Sequence, residues 1–144
     1  IDWQRTAHQT LQSVNLQARE KRVQLKLECA CGFEQVFPPQ GNEILLQLML
    51  RNLLDNAIRY SPPNSHVTLT LDANGLSVCD EGPGIAAEHL PRIRERFYRP
   101  PGQSQQGSGL GLSIVERIAD LHGLRLDLVN ADERGLCVHM IKAV

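Results

Sequence analysis

Apolar residues recur at helical spacing over residues 43–60, EILLQLMLRNLLDNAIRY, eighteen positions without Gly or Pro. This pattern predicts one long amphipathic helix. Asn42 or Gly41 would start it, Glu43 places a carboxylate where the helix dipole favours one, and Ser61-Pro62-Pro63 would stop it. At 3.6 residues per turn, Leu46, Leu50, Leu53, Leu54 and Ala57 make a broad apolar face. Gln47, Arg51 and Asp55 fall at i, i+4 and i+8, a stripe expected to face solvent with Arg51 and Asp55 paired. A third line holds Asn52, Asn56 and Arg59. Asn is a poor residue for a helix interior because its side chain competes for backbone hydrogen bonds. Two such amides one turn apart ask for a reason.

The remaining pattern supplies the frame. Trp3, Ala7, Leu11, Val14 and Ala18 form one stripe of a helix over 2–20, closed by the basic Arg19, Lys21 and Arg22. VQLKLEC at 23–29 alternates, with Val23, Leu25, Leu27 and Cys29 expected inward on a half-buried strand. Residues 30–41 read as loop with a short strand near Val36–Phe37. HVTLTLDANGLSVCD at 66–80 reads as a hairpin turning at Asn74-Gly75. A glycine-rich break follows at 81–85, then a short helix over 87–94 and a polar, lid-like stretch without periodicity at 95–110. LGLSIVERIADLHG at 110–123 is a second strong helix, with Ile114, Ile118 and Leu121 inward and Gly123 at its C-cap. Strands at 124–129 and 136–144 flank a turn at Asp132–Gly135. Hairpin-joined strands with long amphipathic helices predict an α/β two-layer sandwich, a mixed, mostly antiparallel sheet covered on one face by three helices.

Composition narrows the partners. With 144 residues the chain makes one domain, and a net charge of -1 with interspersed signs recommends neither a nucleic-acid surface nor an anionic membrane. No run of eighteen apolar residues occurs, so no transmembrane span or signal peptide is expected in this segment. The start at Ile1, without Met, is expected of a piece cut from a longer protein, with residues 1–3 marking a linker. Cys29, Cys31, Cys79 and Cys137 lack metal-ligand spacing and are expected to be free thiols of a reducing compartment.

Three stretches carry candidate chemistry. Asp80-Glu81-Gly82-Pro83-Gly84 follows a strand; its glycines allow a sharp turn close to a flat ligand, and Asp80 can accept a hydrogen bond from an exocyclic amine. Gly107-Ser108-Gly109-Leu110-Gly111-Leu112 leads into a helix N-terminus, an arrangement that suits phosphate. It does not follow a strand directly, as a dinucleotide fingerprint would, and it lacks the Lys of a P-loop. Arg94-Glu95-Arg96-Phe97-Tyr98-Arg99 sets guanidinium groups just before it.

Taken together, RNLLDNAIRYSP, DEGPGI, ERFYRPPG and GSGLGLSIVERIADLHG resemble the N, G1, F and G2 boxes of the ATP-binding domain of bacterial sensor histidine kinases, in wording nearest the QseC-like branch. The resemblance spans essentially the whole chain and implies the GHKL, or Bergerat, fold. It implies that Asn52 and Asn56 hold Mg²⁺ and, through it, the phosphates of ATP. Arg59 would reach the phosphates and Tyr60 would pack by the adenine or ribose. Asp80 would read the adenine amine, with Gly82, Gly84 and Ile85 shaping the floor. Arg99, with Arg96, would contact phosphate, while Phe97 anchors the lid. Gly107, Ser108, Gly109, Leu110, Gly111 and Leu112 would close it. Asn52, Asn56, Arg59 and Arg99 make up the implied catalytic set.

Where ATPases of the fold carry a general-base Glu, this chain has Asn52, so hydrolysis by the domain alone is expected to be slow. Asp55 lies about 100° around the helix from Asn56 and is no substitute. None of His8, His66, His89, His122 and His139 is followed by an acidic residue, as the family's phosphoacceptor His is. The expected partners are therefore the kinase's own dimerisation and phosphoacceptor domain, through which it would dimerise, and a response regulator. The fragment itself is expected to be monomeric, without nucleic acid or direct membrane contact, as the cytoplasmic domain of a bacterial inner-membrane protein. A GHKL ATPase or topoisomerase fragment, an anti-sigma-factor type of serine kinase and a docking domain without activity are the alternatives.

Overall fold

A computed structural model describes residues 3–30, 41–73, 75–82, 111–130 and 135–142. Along the chain these form α1 (Trp3–Glu20), β1 (Gln24–Cys29), α2 (Glu43–Tyr60), β2 (His66–Asp72), β3 (Gly75–Cys79), α3 (Gly111–Leu121), β4 (Leu124–Asn130) and β5 (Leu136–Lys142). The sheet order is β1-β2-β3-β5-β4; β1 and β2 run parallel and every other neighbour is antiparallel. The parallel pair needs a crossover, and α2 lies on it. The sandwich predicted from the pattern is therefore present. The short strand near 36–37, the helix over 87–94 and the lid-like stretch at 95–110 lie outside the described residues.

Helix α2 is the hub, packing against α1, α3, β2 and β3. Its buried residues are Leu46, Met49, Leu50, Leu53, Leu54, Ala57 and Ile58, a wide face suited to neighbours on three sides. Asn42 caps it, its Oδ1 accepting from Leu45 N at 3.1 Å. At the other end Ser61 N donates to Ile58 O and Ser61 Oγ to Ala57 O, satisfying carbonyls that Pro62 and Pro63 cannot reach. Inward strand residues Val67, Leu69, Leu71, Leu76, Val78, Leu126, Val138 and Met140 complete the core.

Several expectations fail in detail. The Gln47–Arg51–Asp55 stripe does not simply face water. Gln47 Nε2 donates to Gln9 Oε1, and Gln17 Nε2 to Asp55 Oδ1, so two of its three members bond to α1. Asp55 pairs with Arg59, at 3.1 Å, and not with Arg51. Acid before base at i, i+4 is the arrangement the helix dipole favours. Thr6 and Thr10 are buried on α1 beside the expected stripe, and the Thr10 hydroxyl donates to Thr6 O. Cys29 and Leu121, expected inward, are exposed because each ends its element beyond the layer that would cover it.

The cysteines correct a further expectation. Cys79 and Cys137 are not free thiols but a disulfide joining β3 to β5. They face one another in register, and Asp80 N donates to Leu136 O one residue on. That makes 79–137 a non-hydrogen-bonded pair, where antiparallel strands bring Cα atoms closest, here 4.1 Å apart. The sequence separation of 58 hides this pairing until β5 is placed beside β3.

The two sides of α2 predict a sharp contrast. Leu50→Ala, at a fully buried position, should lower the unfolding free energy by about 2–5 kcal/mol. Leu48→Ala, at an exposed position, should cost less than about 1 kcal/mol. Urea unfolding of both variants, read by circular dichroism, checks it; equal losses would mean that the helix is rotated.

Candidate functional site

The candidate residues lie on α2, at the end of β3 and at the start of α3. On α2, Asn52 and Asn56 lie one turn apart and half-buried. Asn52 Nδ2 donates one of its two hydrogens to Leu48 O at 2.9 Å, which orients the amide and leaves its oxygen pointing away from that bond. Arg59 is held by Asp55, which Gln17 of α1 holds in turn. Lys21 Nζ donates to Arg59 O at the helix end, and desolvation pushes that ammonium below its ordinary pKa. The helix line found in the sequence is therefore braced from α1.

Asp80 is the buried acid of the site. Its Oδ1 accepts from Gly82 N at 2.9 Å and from Leu136 N at 3.1 Å. Among the described residues both donors fall on that one oxygen, so Oδ2 is left to accept from a ligand. Burial pushes the carboxyl above the ordinary carboxylate range, against the pull of the Gly82 and Leu136 hydrogen bonds. The native state thus holds this proton more tightly than the unfolded chain. Its contribution to stability therefore falls as pH rises through the window between the ordinary value and the raised one.

Glycines hold this acid in place by close approach. A Cβ on Gly82 would collide with the Tyr60 carbonyl, so the turn after β3 lies against the C-terminus of α2. A Cβ on Gly135 would collide with the Asp80 carbonyl, and Gly135 has φ +102° besides. Next to them Glu81 Oε1 accepts from His66 N and contacts His66 Nδ1 at 3.0 Å. The backbone bond from His66 and then its side chain lower the pKa of this exposed carboxylate.

The direction of α3 matters most. His122, just past its end, accepts from Asn42 N through Nε2 at 3.1 Å, and its Nδ1 lies 2.8 Å from Ile118 O. The C-terminus of α3 therefore sits at the N-terminus of α2, and the two packed helices run antiparallel. At 1.5 Å per residue, an 11-residue helix starting from that end reaches back to about the level of Asn52–Asn56. The N-terminus of α3, which has no acidic residue in its first turn, thus lies at about the level of the paired amides along α2. Free N–H groups and the positive end of the dipole make that an anion-favouring place.

Of the residues singled out in the sequence, Asn52, Asn56, Arg59, Tyr60, Asp80 and Gly82 are brought to this region. Gly111 is the first residue of α3, and Leu112 turns into the core. Gly84, Ile85, Arg96, Phe97, Arg99, Gly107, Ser108, Gly109 and Leu110 lie outside the described residues. Sequence reasoning missed Gly135 and Leu136, which brace Asp80 from β5. It read Gly135 only as turn, and nothing short of the β3–β5 pairing marks it as more. His122 enters the sequence reading only as a histidine not followed by an acidic residue. No group of three or more His, Cys, Asp or Glu side chains capable of holding a metal occurs among the described residues. Among the described residues, Asn52 and Asn56 offer amide oxygens and Asp80 a carboxylate. No helix among the described residues is long and apolar enough to cross a membrane.

Known proteins share this fold. Residues 41–143 match HATPase_c, described as histidine kinase-, DNA gyrase B-, and HSP90-like ATPase. The chain is 59% identical over 95 residues to the sensor protein QseC of Escherichia coli (strain K12), covering 66% of this chain and 21% of that protein. It is 40% identical over 125 residues to the swarming motility regulation sensor protein RssA of Serratia marcescens, covering 83% and 26%. Among solved structures, the cytoplasmic segment of histidine kinase QseC superposes with a TM-score of 0.72 at 29% identity, covering 99% of this chain and 75% of that one. The chain thus spans about a fifth to a quarter of the length of the curated relatives it matches.

The close packing at Gly82 yields a test. Gly82→Ala should cost about 1–3 kcal/mol, because its methyl meets backbone that cannot swing aside as a side chain would. Chemical denaturation of the variant reads this; wild-type stability would mean that the turn does not rest on α2.

Proposed function

The chain belongs to the histidine kinase-, DNA gyrase B-, and HSP90-like ATPase family, and from that premise we propose that it is the ATP-binding catalytic domain of a sensor histidine kinase. In this reading it binds Mg-ATP and donates the γ-phosphoryl to a histidine in a separate dimerisation domain, from which it passes to a response regulator. The full protein would be an inner-membrane kinase, dimeric through that other domain, with this domain in the cytoplasm. The observation that carries the reading is the antiparallel packing of α3 on α2, which brings the N-terminus of α3 back to the level of Asn52 and Asn56, together with the Asp80 carboxylate fixed at the end of β3.

Each residue has a physical task. Asp80 Oδ2 accepts a hydrogen bond from the adenine amine, while Oδ1 stays tied to Gly82 and Leu136. Guanine presents a carbonyl where adenine has its amine, and two acceptors repel. Tyr60 and the turn at Gly82, Gly84 and Ile85 flank the base. Arg59, oriented by Asp55, reaches toward the phosphates, with Arg96 and Arg99 from the following segment. Gly107 to Leu112 lead the chain over the phosphates into α3, whose first N–H groups face them.

The donor set also fits Mg²⁺. Asn52 Nδ2 is held on Leu48 O, so the amide oxygen, a neutral, hard donor, is turned away from that bond. Asn52 and Asn56 would hold the ion without adding negative charge beside a triphosphate. The bound ion supplies charge neutralisation on the transferring phosphoryl group, and positioning does the rest.

The ATPase reading is less favoured because an amide at residue 52 takes no proton from water. Colourimetric phosphate release from the isolated chain should stay at background; turnover at ATPase rates would favour that alternative.

Calorimetric titration should show ATP binding that strengthens with Mg²⁺, and Asn56→Ala should lose phosphoryl transfer in the complete cytoplasmic region. No ATP affinity with Mg²⁺ present, or wild-type transfer by the variant, would overturn the reading. Asp80→Asn should weaken ATP binding about tenfold to hundredfold, the worth of a hydrogen bond to a charged group, and GTP should not compete in the wild type. Because burial raises the Asp80 carboxyl, ATP affinity should fall as pH drops through a range above that of ordinary carboxylates. A pH-independent affinity there would exclude the ionised acid as the acceptor.

A further inference from the structure

Cys79 and Cys137 occupy the last position of β3 and the second of β5, each one residue from the pair that builds the base-reading acid. Asp80 follows Cys79, and Leu136, whose N–H donates to Asp80 Oδ1, precedes Cys137. Both half-cystines are partly exposed, alternating with the buried Val78, Leu136 and Val138, so they lie on the sheet face away from the helices. No helix among the described residues covers that face. Cys29, on β1, lies two strands from β3.

We propose that Cys79 and Cys137 form a reversible redox modification site whose dithiol and disulfide states set the affinity of the adjoining nucleotide site. The coupling rests on the nucleotide reading given above; the cross-link itself does not. The cross-link ties β3 to β5 at this facing pair, whose Cα atoms are 4.1 Å apart. Reduction removes that tie, and the next bonds along, left to hold the strand ends by themselves, are Asp80 N to Leu136 O and Leu136 N to Asp80 Oδ1. Loosening them frees the carboxylate to rotate and misplaces the acceptor. The disulfide state is the state of higher affinity. In a reducing compartment a protein disulfide is usually transient and redox-sensing, and partial exposure gives reagents access.

Oxidation by a peroxide balances. One thiolate of the pair attacks a peroxide oxygen, the O–O bond breaks, and a sulfenic acid and one water result. The second thiolate attacks the sulfenic sulfur, the S–S bond forms, and the hydroxyl leaves as a second water. Two sulfurs are oxidised by one electron each, the peroxide takes both electrons, and the two thiol protons end in the waters. A dithiol reductant reverses the change by thiol–disulfide exchange, becoming a disulfide itself.

The test uses the 144-residue chain treated with hydrogen peroxide or with dithiothreitol. Peptide mapping after alkylation should show a Cys79–Cys137 linked peptide in the first sample and two alkylated cysteines in the second. Linkage of either residue to Cys29 or Cys31 instead, or free thiols after peroxide, overturns the site. Calorimetry with Mg-ATP should then show the oxidised form binding about tenfold more tightly, the worth of one weakened hydrogen bond to a charged group. Cys137→Ser and Cys79→Ser should each bind as the reduced form does, whatever the oxidant. A Cys29→Ser, Cys31→Ser double variant should keep the full response. Equal affinity of the two wild-type forms overturns the coupling. Binding by neither form overturns the nucleotide reading and the coupling with it, while the peptide map still decides the cross-link.

Discussion

One carboxylate oxygen, Asp80 Oδ1, ties together segments that are far apart in the chain. It accepts from Gly82, which turns the backbone against the end of α2, and from Leu136, which opens β5. The acid is buried, so its charge is expensive, and those two bonds offset part of that cost. Buried polar groups are tolerated when their partners are fixed. Here Gly82 and Gly135 press backbone against backbone on either side, so neither partner can drift without a clash being relieved or created. The site's specificity in our reading follows from that rigidity. Only an oxygen that cannot turn can tell a donor from an acceptor on a base.

The second constraint is the antiparallel lie of α2 and α3. A hydrogen bond between Asn42 N and His122 fixes one end of the pair, and helix length then fixes the other. The polar line of α2 would be an unexplained blemish on an otherwise apolar helix if α3 ran the opposite way. Its dipole would then bring a negative end to the amides. In the proposed reading, packing direction, more than any single side chain, makes the line Asn52, Asn56, Arg59 a place for phosphate.

Much of this was legible in the sequence because local chemistry determines it. The bounds of α2 are readable since Asn42 caps one end and Ser61-Pro62-Pro63 closes the other. The inward residues of β2 are readable since its burial alternates without interruption. What escaped depended on tertiary neighbours. Asp55 stands four residues from both Arg51 and Arg59, and its partner is settled by helix polarity together with Gln17 of α1. Leu121 and Cys29 obey the period of their elements yet outrun the layer that would cover them. Gly135, and the pairing of Cys79 with Cys137, required knowing that β5 inserts between β3 and β4. That is a fact of topology, absent from any local window.

Asn52 separates what the fold permits from what this chain is proposed to do. An amide and a carboxylate are nearly the same shape, so exchanging them leaves the helix, its packing and a neighbouring cation site unchanged in outline. Their proton chemistry differs entirely. Asn52 holds its own hydrogen on Leu48 O and offers an oxygen that cannot be protonated near neutral pH. In the proposed function a water beside it stays a poor nucleophile, and bound ATP survives. A phosphoryl donor needs that patience, because its acceptor arrives on another domain. Selectivity for transfer over hydrolysis then comes from leaving out a base, with no added barrier required.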